Sequence, residues 1–168
     1  MNYPRLRNLN KILFSTVLVV GAMAHAGDTK KSLEMLKSKL NKYGAPKVEG
    51  TEKVGDRSAP GLYFGTKKIN NNFDSVDDVK KSMQGTATVF VKDGSDFVRV
   101  STNVLKPDGT RAIGTTLDAT KAAYAAVSKG DTYCGDADIL GTAFDTCYEP
   151  IKDASGKVLG VYYVGYKK

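Results

Sequence analysis

The residues best suited to chemistry stand on one stretch, Gly85 to Val104, GTATVFVKDGSDFVRVSTNV. Two runs rich in Val, Phe and Thr alternate with a period of two. They meet at Asp93-Gly94, a dipeptide that tolerates the positive φ of a tight connection, so the stretch reads as a β-hairpin. Directly opposed residues of an antiparallel pair share a face. The alternation therefore sends Ala87, Val89, Val91, Val98 and Val100 to one side and Thr88, Phe90, Phe97, Arg99, Ser101 and Asn103 to the other. The valine side is a core face. On the second side a guanidinium, hydroxyls and an amide lie beside aromatic rings, which is what a small polar ligand needs.

Catalysis asks for a nucleophile with a base, a metal ion, or a positioned acid/base pair. The one histidine, His25, falls in a segment that reads as removable, there is no glycine-rich phosphate loop, and the cysteines read as a bonded pair. Carboxylates remain. Asp136 and Asp138, with Asp145 across a predicted hairpin, could hold a calcium ion, but no loop has EF-hand spacing and a solvated acidic face explains them as well. The expectation is a protein that is not an enzyme and carries no cofactor and no metal; an enzymatic reading would need a bound metal.

Met1 to Ala26 has the three parts of a secretory signal peptide: basic Arg5, Arg7 and Lys11, apolar Ile12 to Ala24, and an A-x-A site at Ala24-His25-Ala26. The apolar run is shorter than the roughly 20 residues that span a bilayer, so cleavage before Gly27 is expected over a retained anchor. Losing those three cations takes the formal charge from +7 to +4. The remaining lysines are dispersed, which suits a solvated surface and not nucleic acid. The exported remainder, residues 27–168, suits one domain: residues 27–60 as an N-terminal helix and connector, 61–168 as the core.

Export to the periplasm gives meaning to the cysteines, because that compartment is oxidising. Cys134 and Cys147 lie in TYCGDADILGTAFDTCYEP, two strands turning at about Leu140-Gly141, and are equally distant from the turn. They face each other at the Cα separation of about 4.5 to 5.5 Å that a disulfide accepts. A redox-active pair is the alternative, but the spacing is not C-x-x-C and no neighbour is placed to lower a thiol pKa. The same register sets Tyr133 opposite Tyr148 and Ala137 opposite Phe144 on an inward face, and sends the cysteines, Asp136, Asp138, Asp145 and Glu149 outward.

Other elements must hold these parts. Asp28 or Thr29 can cap a helix to about Tyr43, with Leu33, Leu36, Leu40 and Tyr43 on one face. Ala45 to Pro60 has no sustained period and reads as an irregular wrap. The aromatics and asparagines of Gly61 to Phe73 are either satellite core and turns or a loop that lends amide donors to a pocket. Ser75 can cap a short helix to Met83, Asp118 a helix from Ala119 to about Ser128, and Val158 to Tyr166 is apolar on both faces like a central strand. The fold class is α/β (α+β), with a five-stranded antiparallel sheet, a long N-terminal helix and a crossover helix.

With YFGTKKINNNF before the central hairpin and GTRAIGTTLD, YEPI and KDASGKVLGVYYVGY after it, the chain resembles the Cache sensor domains of bacterial chemoreceptors and histidine kinases. The match is specifically to the fused Cache 3/Cache 2 type and runs from about Gly61 to Gly165. The resemblance implies a PAS-like fold, a place outside the cytoplasm, and a pocket on one side of the sheet for a small metabolite, often an organic anion or amino acid. Carried onto this chain, the pocket would use Arg99, Ser101 and Asn103, Arg111 from the following loop, and Tyr133 and Tyr148 from the second hairpin. Two guanidiniums in one cavity would favour a carboxylate, whose two oxygens match their planar donor forks. The resemblance also implies signal transduction, as in chemotaxis, through a membrane receptor or histidine kinase as partner. The alternative is a scaffold whose pocket is filled by Phe90, Phe97 and the tyrosines.

Overall fold

The computed structural model describes residues 25–168, with side chains from residue 28 onward. All but the last two residues of the expected signal peptide therefore lie outside the described residues. The chain runs α1 (His25–Asn41), β1 (Pro46–Val54), β2 (Arg57–Phe64), β3 (Lys67–Lys68), α2 (Asp74–Met83), β4 (Thr86–Asp93), β5 (Asp96–Thr102), α3 (Ala122–Ser128), β6 (Tyr133–Ile139), β7 (Thr142–Lys152) and β8 (Val158–Lys167). The main sheet has five strands in the order β5-β4-β8-β7-β6, and a smaller sheet has the order β1-β2-β3. All pairings are antiparallel.

Both faces of the main sheet are covered, which is why β8 is apolar on both sides. One face carries Ala87, Val89, Val91, Val98 and Val100 with Leu33, Leu36 and Leu40 of α1 and Val76 and Val79 of α2. The other carries Phe90, Phe97, Tyr148, Val161 and Tyr163, closed over by Leu117 and by Ala123 and Val127 of α3. Helix α1 is tied to the sheet by a Ser32 Oγ to Tyr166 hydroxyl hydrogen bond of 2.7 Å and a Lys37–Glu149 ion pair of 2.8 Å.

Five local expectations are corrected. The segment Ala45 to Pro60 is not irregular: it forms β1 and most of β2, a hairpin whose outer strand is solvent-facing and so lacks the apolar alternation by which a strand is recognised. Tyr43 lies beyond the end of α1 and is exposed, with the Lys42 and Lys67 ammonium groups 5.0 and 5.7 Å from its ring centre. Ser75 does not cap α2, whose N-cap is Phe73, and α3 begins after Lys121 because Asp118 instead accepts the Thr120 N–H in a local turn. The cysteine face of the second hairpin is only half outward: Cys134 is exposed, but Cys147 is buried on the α1 side.

The central hairpin turns on Gly94, φ 58°, between the closing pair Asp93 and Asp96. A glycine with positive φ in the first position of a two-residue loop is what a type II′ turn needs. The second hairpin turns at Leu140-Gly141, φ 52° and 83°, with Ile139 opposite Thr142.

Candidate functional site

The β4–β5 ladder slips by one residue. Phe90 pairs with Arg99, but Val89 pairs with Ser101, so Val100 is the extra residue of a β-bulge. A one-residue slip exchanges the faces of everything beyond it. Ser101 and Asn103 are therefore turned toward α2, away from Arg99. The Ser101 hydroxyl donates to the Asn72 carbonyl at 2.6 Å, while the Asn103 side chain accepts from Ala87 N–H at 2.7 Å and donates to the Val76 carbonyl. These two expected ligand residues are satisfied by backbone and do not join the pocket.

Arg111 is elsewhere too. Its Nη1 and Nη2 donate to the two oxygens of Asp77 at 2.8 Å each, Nη1 also reaches the Thr102 carbonyl at 2.7 Å, and the guanidinium lies 4.4 Å from the Phe73 ring centre. The convergence of two arginines on one cavity does not occur.

Arg99, Tyr133 and Tyr148 do come together. They line a cavity of about 390 Å³ between the aromatic face of the sheet, the segment from Thr116 to Ala123, and strand β6 with its turn. The segment Gly114 to Leu117 runs along the edge of β5, with Arg99 N–H bonded to Thr115 O, Gly114 N–H to Arg99 O and Leu117 N–H to Phe97 O. That pairing fixes Arg99 at the floor while bringing Thr116, Leu117 and Asp118 to the wall. Helix α3 can lie close because Ala122 and Ala123 present only methyl groups.

Arg99 is 4% exposed. Its Nη1 donates to Thr115 Oγ1 at 2.8 Å and more weakly to Thr116 O at 3.4 Å; its guanidinium is 4.9 Å from the Phe90 ring centre. Nε is buried without a hydrogen-bond partner, and among the described residues no carboxylate pairs with the guanidinium. Burial pushes its pKa below the ordinary arginine value, an effect that the nearby Tyr148 and Tyr163 oppose. A guanidinium still holds its proton there, because its unperturbed pKa is so high.

Three phenols run behind it. The rings of Tyr148 and Tyr163 are 4.8 Å apart and those of Tyr133 and Tyr148 6.2 Å. The Tyr163 hydroxyl reaches Thr86 Oγ1 at 3.1 Å and Tyr133 donates to the Asp136 carbonyl at 2.8 Å. Burial raises the pKa of Tyr148 and Tyr163, the latter to about 12, so both are neutral at any physiological pH. Arg99 thus sets a buried positive charge at the floor of the cavity with neutral phenols around it, while Lys121, Asp118, Asp136 and Asp138 line the walls.

The disulfide stands where the hairpin register puts it. Cys134 opposes Cys147 in the ladder and the bond is formed, with Cα atoms 4.1 Å apart. Lining residues that sequence reading did not single out include Thr116, Lys121 and Ile139, whose roles come from the path of the crossover and not from a motif. Among the described residues, no group of His, Cys, Asp and Glu is arranged to hold a metal ion, and no helix is long and apolar enough to cross a membrane.

No curated protein and no solved structure matches the chain. A family profile does: residues 21–168 match the Cache 3/Cache 2 fusion domain, and the chain belongs to that family of extracytoplasmic sensor modules.

Proposed function

We propose that this Cache domain binds a small carboxylate in the cavity floored by Arg99 and presents its liganded state to a membrane receptor or histidine kinase. The observation that carries the reading is Arg99 itself, buried with no carboxylate partner among the described residues and with Nε unpaired. Burying an uncompensated charge costs several kcal/mol, and a ligand carboxylate would supply the missing partner. A guanidinium matches such a group in the planar geometry of its donors as well as in charge. A volume of about 390 Å³ suits a small metabolite.

The scaffold alternative needs that volume to be filled. Phe90, Phe97, Tyr148 and Tyr163 occupy the interior of this face, yet the cavity remains beside them. The disulfide is compatible with an oxidising compartment, in keeping with export. Signalling would require a partner with different affinities for the free and liganded states, since only such a difference can shift an equilibrium.

A thermal-shift screen of the purified protein against small carboxylates and amino acids tests the reading. A ligand at a hundred times its dissociation constant should stabilise by about 2.7 kcal/mol. A shift lost in Arg99→Met and kept in Arg111→Ala supports it. A folded protein unmoved by every compound would favour the scaffold.

A further inference from the structure

Among the described residues the large apolar side chains most open to solvent are Leu105 and Leu140, 49% and 44% exposed. They belong to different segments, the loop after β5 and the β6–β7 turn, yet they line one groove with Val104, Pro107, Ile139 and Phe144. Leu140 also holds a φ of 52°, a left-handed conformation that suits glycine or asparagine and disfavours a bulky side chain. The turn would form more readily with asparagine, so the leucine is not there for the backbone.

The groove lies at the end of the main sheet where the chain enters and leaves. Thr86 pairs with Gly165, Phe144 with Lys167 and Ile139 with Thr142, which gathers the start of β4, the end of β8 and the β6–β7 turn at this end. Helix α1 starts here too, since Ser32 in its first half bonds to Tyr166 while Asn41 at its other end bonds to Tyr162. The sequence before α1, with its apolar run Ile12 to Ala24, therefore joins the domain at this end. A bilayer that takes up that run receives this face of the domain first.

Leu105 also borders a depression lined by Lys80, Lys81 and Arg111. Lys80, Lys81 and Lys167 are exposed and have no ion-pair partner among the described residues. The carboxylates nearby are engaged: Asp77 by Arg111, Asp108 by Lys106, Asp136 by Lys168, and Asp138 by the Gly141 N–H. The charge left over is positive.

We infer that this end of the domain docks on the surface of an anionic phospholipid bilayer, with Leu105 and Leu140 entering the headgroup layer and Lys80, Lys81 and Lys167 meeting lipid phosphates. Two apolar tips in a basic surface are too little area for a stable protein interface, whereas a bilayer asks only for apolar groups to bury and cations to attract. The contact does not depend on the Arg99 cavity.

The test is co-sedimentation with vesicles of equal parts phosphatidylglycerol and phosphatidylethanolamine, against vesicles of phosphatidylcholine. The protein used is the chain from Gly27, the expected exported form, which leaves out only the first two described residues. Binding to the anionic vesicles should be about tenfold tighter or more, and should weaken as salt is raised. Leu105→Ser with Leu140→Asn, an exposed pair whose second change suits the positive φ, should weaken it by about tenfold or more. Lys80→Gln with Lys81→Gln should do the same, whereas Lys92→Gln with Lys157→Gln, an equal loss of charge at the opposite end of the sheet, should change it by less than about threefold. A folded parent that ignores anionic vesicles, a leucine variant that binds them like the parent, or equal losses from the two lysine pairs would overturn the inference. A parent that is a dimer in solution, dissolved by the leucine changes, would overturn it too and make the face a contact between copies.

Discussion

Val89 stands opposite Ser101, one residue later on β5 than the neighbouring Phe90–Arg99 pair would place it. This single slip separates Arg99 from the two polar residues that a regular ladder would have set beside it. Ser101 and Asn103 become part of the packing against α2, and Arg99 stays buried on the aromatic face against the Phe90 ring.

The roles of Asn103 and the cavity should therefore separate. Asn103→Ala leaves the Ala87 N–H and the Val76 carbonyl without their side-chain partner in a buried place, so it should lower stability by about 2–4 kcal/mol. Ligand affinity of the remaining folded protein should stay within about twofold. Chemical denaturation and titration of the same samples would check both, and a large loss of affinity at unchanged stability would return Asn103 to the pocket.

Arg99 should behave in the opposite way. A buried cation without a carboxylate opposes folding, so Arg99→Met, of similar length and apolar, should be as stable as the parent or more stable by about 1–3 kcal/mol. A variant destabilised by several kcal/mol in urea would mean that Arg99 is held for the fold through Thr115 and not for a ligand.

Much of this architecture can be read from the residues. The five strands of the main sheet, both hairpin turns and the Cys134–Cys147 pair follow from period-two alternation and turn chemistry, which act locally. The bulge at Val100 leaves no such trace, since TNV continues the alternation as well as a regular strand would. Arg111 also could not be sorted from Arg99 by pattern, because its partner Asp77 is distant in sequence and on another element. Strand β1 escapes notice because it is solvated along most of its length and its composition is that of a loop. Tyr133 stands opposite Tyr148 as the hairpin register requires, because that pairing depends only on distance from the turn.

The disulfide should matter to the cavity as well as to the fold. Strand β6 is the edge strand, bonded in the ladder only to β7, and it carries Tyr133 and Asp136 to Ile139 of the cavity wall. Replacing both cysteines by alanine should lower stability by about 3 kcal/mol in the chain-entropy account, raise hydrogen exchange in β6 selectively, and weaken the ligand. Unchanged affinity with β6 amides still protected would show that the ladder alone holds the wall.

Alkaline pH should expose the phenol cluster. Tyr148 and Tyr163 have raised pKa values in the fold, the latter about 12, against about 10 when unfolded. The fold thus binds these protons more tightly, so its stability is complete below pH 10 and falls as pH rises from there through 12. Each tyrosine contributes a slope of up to about 1.4 kcal/mol per pH unit in that window. Denaturation midpoints at pH 8, 10 and 11, with tyrosinate absorbance, measure this; two phenols ionising near pH 10 without loss of the fold would contradict it.

The central claim is that Arg99, and not Arg111, anchors a ligand carboxylate. Isothermal titration of the strongest carboxylate-bearing hit into the parent, Arg99→Met and Arg111→Ala compares them directly. The account predicts affinity reduced at least a hundredfold in Arg99→Met and changed less than threefold in Arg111→Ala, whose Asp77 pair lies outside the cavity. Parent-like binding by a folded Arg99→Met would contradict it.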